Sequence, residues 1–309
     1  MEPKYEGIPL NILRRMGKAV RIGVGAALPL VNSAEKPDGI IIGSANGGME
    51  DCIKFLNQII EYDEGRLTPT NFVQSTPNAI AAQVGLTISN MGFNITHVHR
   101  GLAFENAMLD AMMMLKENIN ATYLLGGVDE VSSYNYNLER LGGWYKKEKV
   151  SGVDLYDSHT DGSIAGEGSA MFLVNNERTG SFMEVKAVGM LHTKDPAEVA
   201  GQLKLFLDRN GPHDAWFAGE NGDARVQPFY DACEKMLPAD MIKLHFKHFT
   251  GEHPSTTALA LWLANRFFEM QKIPPHFFKS TPVQKPFKSM LVYNSGKGEQ
   301  HSFMSLSAG

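Results

Sequence analysis

Two short segments of the sequence each contain histidines close to one another. Lys247-His-Phe-Thr-Gly-Glu-His253 places a lysine, a carboxylate and two histidines close together, and His97 and His99 lie two residues apart. Side chains of these types transfer protons or bind anions when they face a common pocket. We expect His97 and His99 to share one face of a strand, because side chains alternate between the two faces along it.

A junction between a predicted strand and a predicted helix follows His99. Residues 92–100 form a β-rich run and a turn, an amphipathic helix then ends near Lys116, and residues 121–127 form an apolar strand. The N–H groups and the macrodipole at a helix N-terminus stabilise negative charge, so such a corner lowers the pKa of a thiol. At this corner the chain has Gly101, which carries no side chain.

Five motifs follow one another along the chain. They are Ile42-Gly-Ser-Ala-Asn-Gly-Gly48, Leu67-Thr-Pro-Thr-Asn-Phe-Val-Gln-Ser-Thr-Pro-Asn78, Tyr156-Asp-Ser-His-Thr-Asp-Gly162 with Gly166-Glu-Gly168, Lys247-His-Phe-Thr-Gly251, and Ile273-Pro-Pro275. In these motifs and their order, the sequence resembles the β-ketoacyl-acyl-carrier-protein synthases of the thiolase superfamily over nearly its whole length. The third motif is the most specific match, since it is close to the family's Phe-Asp-x-x-Arg-Asp-Gly-x-x-x-Gly-Glu-Gly.

The resemblance implies a nucleophile that this chain lacks. The family carries its acyl-accepting cysteine at the strand-to-helix junction. Counting without gaps from Gly92 forward, or from Gly126-Gly127 back, places that cysteine on Gly101. A glycine has no side-chain atom that can accept an acyl group.

The resemblance also implies two histidines and a lysine, which in the family polarise a malonyl thioester and support its decarboxylation. The first histidine falls on Glu220 or Asn221, and Asn221 is favoured because Gly222 follows it as a glycine does in the family. The second falls on Glu252, and only Lys247 keeps its identity. An ionised carboxylate repels an enolate oxygen, so the substitution at Glu252 by itself opposes the family chemistry.

His99, His253 and Lys297 are candidates for substrate binding. The resemblance places Lys297 in a glycine-rich turn where the family has a phenylalanine that gates the acyl tunnel. A flexible lysine is a poor hydrophobic gate, but it can bind a phosphate or carboxylate group. If His97, His99, His253 and His301 converge, they form a metal site or an acid–base cluster. Because no recognised zinc spacing is present, hydrogen-bonded structural histidines are the favoured interpretation, and neither a metal nor a cofactor is expected.

The composition of the 309 residues, with 43% hydrophobic and 20% charged residues, is that of a globular protein. The net charge of -5 argues against nucleic-acid binding as the main role. The two cysteines, Cys52 and Cys233, indicate neither a disulfide framework nor a metal knuckle. We expect no signal peptide and no membrane span, and we predict a cytoplasmic protein.

Strands and helices alternate along the chain, which predicts an α/β protein. The predicted helices are 10–30, one starting at 49, 77–89, 197–209, 229–236 and 255–272, and the predicted strands include 39–43, 170–174, 215–219, 242–247, 290–293 and 302–307. The resemblance implies a thiolase-like layered α-β-α-β-α fold of two related halves, residues 1–180 and 181–309. Family members have a strand ahead of the helix that resembles residues 11–30, so the first sheet is expected to lack its middle strand.

Two functions are open. The favoured one is a non-catalytic subunit, similar to the chain-length factors that pair with an active ketosynthase in fatty-acid or polyketide (aryl-polyene-type) biosynthesis and shape its acyl tunnel. The alternative is an acyl-carrier-directed decarboxylase, thioesterase or acyltransferase with a relocated active site of His99, Lys247, Glu252 and His253. Losing the nucleophile and both histidines together favours the subunit, because coupled catalytic groups lose their value as a unit.

The resemblance implies two partners. One is an acyl carrier protein with a phosphopantetheine-linked acyl chain, and the other is a second subunit, either another copy of this chain or a ketosynthase. In the family, a strand equivalent to residues 94–100 pairs across a two-fold axis, so we expect a homodimer or heterodimer joined through this strand. A self-paired scaffold without an acyl ligand is a third alternative.

Overall fold

The computed structural model describes residues 2–5, 7–31, 36–283 and 285–309. The chain divides by Cα proximity into two compact units. Unit 1 comprises Met1–Tyr134 and Glu167–Asn176, and unit 2 comprises Asn135–Gly166 and Glu177–Gly309. Proximity does not test a relationship between halves, so the boundary after residue 180 stays a prediction.

Unit 1 is built on a four-stranded mixed sheet. Its strands are β1 (Gly39–Gly43), β2 (Phe93–His97), β3 (Tyr123–Asp129) and β4 (Gly168–Val174), and its helices are α1 (Leu10–Leu13), α2 (Lys18–Val31), α3 (Met49–Glu61), α4 (Pro69–Val73), α5 (Ala79–Ile88) and α6 (Ala103–Glu117). The strand order is β2-β1-β3-β4, in which β2, β1 and β3 are parallel and β4 is antiparallel to β3. β1 is buried along its whole length, as expected of a central strand covered on both faces.

The core of unit 1 positions the junction at Gly101. Ile40 and Ile42 of β1 belong to the apolar cluster that also includes residues of α2 and α5. Next to them, Gly43 allows the start of α6 to approach the sheet, because a Cβ atom there would lie 2.5 Å from the Phe104 Cα. This close approach fixes the N-terminus of α6 against the end of β1.

Two buried acidic residues hold the loops at the carboxyl edge of this sheet. The fully buried Asp129 accepts hydrogen bonds from the backbone N–H groups of Ala45 (3.0 Å) and Asn46 (2.7 Å). The N–H groups of this glycine-rich loop therefore bind a carboxylate of the protein itself. Glu130, which is 2% exposed, accepts a hydrogen bond from the Ala19 N–H in the first turn of α2.

Unit 2 is built on a five-stranded mixed sheet. Its strands are β5 (Met183–His192), β6 (Ala215–Ala218), β7 (Ile242–His245), β8 (Ser289–Gly296) and β9 (Gln300–Ala308), and its helices are α8 (Pro196–Asn210), α9 (Gln227–Glu234), α10 (Lys247–Thr250) and α11 (Thr256–Met270), with α7 (Ser133–Leu141) at the boundary between the units. The strand order is β5-β9-β8-β6-β7. β8, β6 and β7 are parallel, and β9 is antiparallel to both β8 and β5.

The alternation of side chains along β6 gives unit 2 a core on each face of its sheet. Trp216 and Ala218 belong to the apolar cluster that includes residues of α8 and α9. Phe217 points to the opposite face, where its ring contacts those of Phe246 and Phe267. The sheet is thus covered on both sides, and the predicted α/β architecture is confirmed.

The two sheets share one strand pattern. In each, three parallel strands are followed by an antiparallel strand, in the orders β2-β1-β3-β4 and β7-β6-β8-β9. β5 extends the second sheet beyond β9, and the first sheet has no counterpart of it among the described residues. The expectation of a missing middle strand is wrong, because β1 and β3 occupy the middle of the sheet. The place of an equivalent of β5 would be the edge beside β4.

Most predicted elements are confirmed, but the predicted helix 10–30 is two helices. The chain turns at residues 14–17, where the Gly17 N–H donates to Gln74 Oε1 at 2.5 Å. A Cβ atom at Gly17 would lie 1.9 Å from an Asp51 carboxyl oxygen, so this turn requires glycine. Within the described ranges, no helix combines the length and the hydrophobicity needed to cross a bilayer.

The buried Glu130 carboxyl predicts a pH-dependent stability. Burial raises the pKa of Glu130 from 4.5 to about 7, and the nearby Glu50 and Asp51 carboxyls add to this rise. The folded state then binds more protons than the unfolded state, so the stability from this group is complete below about pH 4.5 and is lost as the pH rises through about 7. Glu130→Gln removes the titration.

We therefore expect the difference in unfolding free energy between Glu130→Gln and the wild type to shift in favour of the variant by about 2 kcal/mol from pH 5 to pH 8. Urea denaturation at both pH values measures this difference. Glu61→Gln, at an exposed position, is the matched control and should show no such shift. A difference that is equal at the two pH values would contradict the expectation.

Candidate functional site

Three side chains of unit 2 meet where β6 and β7 end. Glu252 Oε2 accepts hydrogen bonds from Asn221 Nδ2 and from Lys247 Nζ, each at 2.6 Å. Asn221 follows β6 and Lys247 follows β7, and these strands are parallel neighbours, so their carboxyl ends meet at one edge of the sheet. We call these residues the Asn–Lys–Glu cluster. They are the three positions that the resemblance assigns to the family's two histidines and lysine.

Burial makes the Asn–Lys–Glu cluster a charge-neutralised site. Lys247 is 1% exposed and Asn221 is 5% exposed, whereas the Glu252 side chain retains 22% exposure. Leaving a buried ammonium group without a counter-charge costs several kcal/mol, so Lys247 requires the carboxylate. The Asp223 N–H donates to Asn221 Oδ1 at 3.1 Å, which directs the amide NH2 group of Asn221 towards Glu252.

Two motif glycines place the Glu252 backbone. The Glu252 N–H donates to the Ile164 carbonyl at 2.8 Å, and the Gly166 N–H donates to the Glu252 carbonyl at 2.9 Å. Gly166 and Gly251 pack against each other, since a Cβ atom at Gly166 would lie 2.2 Å from the Thr250 carbonyl oxygen. Gly251 also has φ of +67°, which favours glycine. The Gly-Glu-Gly and Thr-Gly motifs thus serve to position Glu252.

Glu220, the other candidate for the first family histidine, points away from the Asn–Lys–Glu cluster. Its carboxylate accepts hydrogen bonds from Lys279 Nζ at 2.6 Å and from Gln227 Nε2 at 3.1 Å. Burial raises the pKa of Glu220, and the Lys279 ammonium opposes this rise. The geometry therefore favours Asn221 as the residue at the histidine position.

His253 is a neutral imidazole beside the Asn–Lys–Glu cluster. It is 3% exposed, and burial lowers its pKa to about 3, with the Lys247 charge contributing. Its Nδ1 lies 3.5 Å from Ser255 Oγ, and its buried Nε2 has no hydrogen-bond partner in the part of the chain that the structure describes. His253 thus brings an unused polar atom close to a buried charge.

The predicted strand-to-helix junction is present in unit 1. β2 ends at His97, and Gly101 lies in a single 3-10 turn, Arg100–Leu102, that leads directly into the 15-residue helix α6. The N-cap residue, Leu102, provides no side-chain hydrogen bond to the helix. Arg100 has φ of +48°, a left-handed conformation that costs a residue with a side chain about 1 kcal/mol or more. Gly101 therefore lies one residue before the N-cap of α6.

The structure gives the four histidines separate surroundings. His97 Nε2 lies 2.9 Å from Asp110 Oδ2 in unit 1, while His99 lies beyond the end of β2 on an exposed stretch. The expectation that these two histidines share a strand face is therefore wrong. In unit 2, the His301 ring binds Tyr293 Oη at 3.0 Å. Among the residues described, no three potential metal ligands converge on one point.

Lys297 is engaged by neighbours within unit 2. It lies in the turn between β8 and β9, and its Nζ is 2.8 and 2.6 Å from the two carboxylate oxygens of Glu139. It also lies 5.0 Å from the centre of the Trp144 ring, over which the Arg225 guanidinium lies at 4.3 Å. Its charge is thus neutralised by a carboxylate of the protein, and its assignment to substrate binding stays a prediction.

A second group of aromatic and histidine side chains in unit 2 was not predicted from the sequence. The Tyr156 ring stacks on His245 with 3.7 Å between ring centres, and its hydroxyl accepts a hydrogen bond from the His248 backbone N–H at 3.0 Å. Burial lowers the pKa of His245 to about 3 and that of His248 to about 4. The His245-x-x-His248 spacing at the end of a predicted strand is the signal that could have indicated this group.

Comparisons with known proteins identify similar folds. Residues 1–139 match the family model of the β-ketoacyl synthase N-terminal domain. A β-ketoacyl synthase from Burkholderia phymatum is 16% identical, with 98% of this chain and 85% of that chain covered, and has a TM-score of 0.76. No curated protein matches the sequence.

Two further solved structures have similar folds. The ishigamide ketosynthase/chain length factor is 15% identical, with 98% of this chain and 86% of that chain covered, and has a TM-score of 0.72. A type II polyketide ketosynthase in complex with its acyl-carrier protein is 18% identical, with 98% of this chain and 87% of that chain covered, and has a TM-score of 0.71.

The chain has the fold of a ketosynthase, and its first 139 residues match the β-ketoacyl synthase N-terminal domain. The resemblance seen in the motifs is thereby confirmed, and so is the thiolase-like fold, because the likeness to the ketosynthase structures extends over nearly the whole chain. At these identities the structural likeness concerns the fold alone.

The junction at Gly101 predicts an activated thiol in a variant. Gly101→Cys places a thiol at the N-terminus of α6, where the helix favours the thiolate, so we expect its pKa to lie about one unit or more below 8.5. Near pH 7 it should react with iodoacetamide several-fold faster than Cys52 or the buried Cys233, whose pKa burial raises to about 12. Mass spectrometry of the labelled peptides measures the rates.

Asn118→Cys is the matched control for this experiment, because residue 118 is the exposed C-cap of the same helix. The negative end of the helix macrodipole opposes ionisation of a thiol there. If the Gly101→Cys thiol reacts no faster than the Asn118→Cys thiol, the junction does not activate a nucleophile.

Proposed function

We propose that the protein is a non-catalytic subunit of the chain-length-factor type, which pairs with an active ketosynthase in fatty-acid or polyketide biosynthesis. The observation that carries the proposal is Glu252. A carboxylate, hydrogen-bonded by Lys247 and Asn221, takes the position of the second family histidine. The missing side chain at Gly101 supports the same conclusion.

The chemistry of condensation explains why this substitution matters. Ketosynthase chemistry needs hydrogen-bond donors aimed at the oxygen on which negative charge develops. Glu252 contributes acceptor oxygens, and it engages both Lys247 Nζ and Asn221 Nδ2. The two donors of the Asn–Lys–Glu cluster are therefore committed to a carboxylate of the protein, and an oxyanion placed there would meet a negative charge.

Two of the similar structures support the proposed partners. One is described as a ketosynthase/chain length factor, and another as an acyl-carrier protein in complex with its ketosynthase. We extend both kinds of partner to this chain, namely a cysteine-bearing ketosynthase and an acyl carrier protein with its phosphopantetheine-linked chain. A cytoplasmic location is part of the same proposal.

The geometry of unit 2 disfavours the alternative of a relocated active site. A general base or a nucleophile has to be available to the substrate, yet Lys247 and Glu252 are bound to each other at 2.6 Å. His253 is neutral but 3% exposed. The subunit role requires none of these groups to react.

The edge of the first sheet supports dimerisation. β2 is the outermost strand beside β1, and its residues Phe93 and Ile95 are 39% and 40% exposed. An exposed edge strand with apolar side chains is a site where another strand can add. This fits the proposed pairing through residues 94–100, either with a second copy or with a ketosynthase.

The subunit role predicts that the purified protein forms no acyl-enzyme. Incubation with acyl and malonyl thioesters of an acyl carrier protein should leave the intact mass unchanged and yield no condensation product, because residue 101 has no nucleophilic atom. A cysteine-bearing ketosynthase assayed in parallel is the positive control. An acyl adduct mapped to any residue of the Gly101 region would contradict the proposal.

The dimer proposal predicts the effect of a charge on the edge strand. We expect the wild type to be a dimer in light scattering at micromolar concentration, alone or with a cysteine-bearing paralogue, and Ile95→Lys to weaken the dimer at least about tenfold. Val153→Lys, at a position 88% exposed in unit 2, is the matched control and should leave the dimer unchanged. A wild-type monomer that recovers no partner from its native host would contradict the proposal.

A further inference from the structure

Two residues of the Asn–Lys–Glu cluster converge on a single carboxylate oxygen. Asn221 Nδ2 and Lys247 Nζ are each 2.6 Å from Glu252 Oε2. Short hydrogen bonds of this kind, with one charged donor, are typical of strong carboxylate recognition. Both donors are at least nine-tenths buried, so little water competes for them.

These donors are held by contacts other than the Glu252 side chain. The Asp223 N–H fixes the amide orientation of Asn221. The loop that carries Asn221 is tied down where Lys146 Nζ donates to the Gly222 carbonyl at 2.9 Å. The backbone of Lys247 is bound through its carbonyl to the Gly251 N–H at 2.8 Å. The donor geometry is thus built into the loops after β6 and β7.

His253, the residue after Glu252, carries a further buried polar atom. Its Nε2 has no hydrogen-bond partner among the described residues, and burial, together with the Lys247 charge, lowers the pKa of its ring. A buried polar atom without a partner is costly and points to a group that is bound there in some state of the protein.

The backbone of Glu252 is held independently of its side chain, which is partly exposed. The Glu252 main chain is bound on both sides by Ile164 and Gly166, and 22% of the side chain is exposed. We propose that Asn221 and Lys247, with His253 beside them, form a carboxylate-binding site whose internal occupant is Glu252. The carboxylate of a ligand, either a small free anion or the end of a longer chain, takes the place of Glu252 when it turns to solvent.

Chemical rescue of a variant tests this site. Glu252→Ala removes the occupant and leaves the buried Lys247 ammonium without its carboxylate, so the melting temperature should fall. Acetate should then raise it along a saturable curve, by about 3 °C at ten times its dissociation constant. Titration with hexanoate at the same ionic strength distinguishes a chain-linked carboxylate from a small free one. Sodium chloride is the control for ionic strength.

The controls separate carboxylate binding from general stabilisation. The wild type, in which acetate has to displace Glu252, should respond to acetate more weakly than Glu252→Ala does. Glu252→Ala with Lys247→Met should respond to acetate no more than to chloride. If Glu252→Ala is insoluble, Glu252→Ser serves in its place. Equal responses of Glu252→Ala to acetate, hexanoate and chloride would overturn the inference. The inference does not depend on the subunit role, because rescue is measured on stability and not on acyl transfer.

Discussion

The buried ammonium group of Lys247 constrains the centre of unit 2. A charge that is 1% exposed needs an opposite charge in contact, and Glu252 supplies it at 2.6 Å. The position of Glu252 in turn depends on its backbone bonds to Ile164 and Gly166 and on the tight packing of Gly166 against Gly251. The same carboxylate that neutralises the lysine occupies the donors that an oxyanion would need. One ion pair therefore links the packing of these two glycines to the hydrogen bonds of Lys247 and Asn221.

Sequence patterns predicted those helices and strands whose residues themselves show a periodic or apolar pattern. The apolar run of β1 and the amphipathic pattern of α6 correspond to elements with nearly the predicted ends. α7 was missed because its sequence, SYNYNLERL, has no continuous apolar stripe. Residues 10–30 alone did not indicate that the predicted helix is divided into two. The division depends on contacts of Gly17 with Asp51 and Gln74, which are distant in sequence.

The order of the motifs indicated that Asn221, Lys247 and Glu252 belong to one site, and the structure places them in direct contact. That they share one carboxylate oxygen was not predictable, because it depends on the side-chain directions set by the loops after β6 and β7. The ion pair of Lys297 was not predictable from the sequence either. Its partner, Glu139, is 158 residues away along the chain, and no local pattern connects the two.

Release of labelled carbon dioxide from a malonyl thioester tests the absence of family chemistry most directly. Decarboxylation needs no nucleophile, so it reports on the Asn–Lys–Glu cluster independently of Gly101. With malonyl-acyl-carrier protein labelled at the free carboxyl, the protein should release no more carbon dioxide than buffer does, while an intact ketosynthase releases it readily. Release that Glu252→Gln or His99→Ala abolishes would contradict the non-catalytic role and establish a relocated active site.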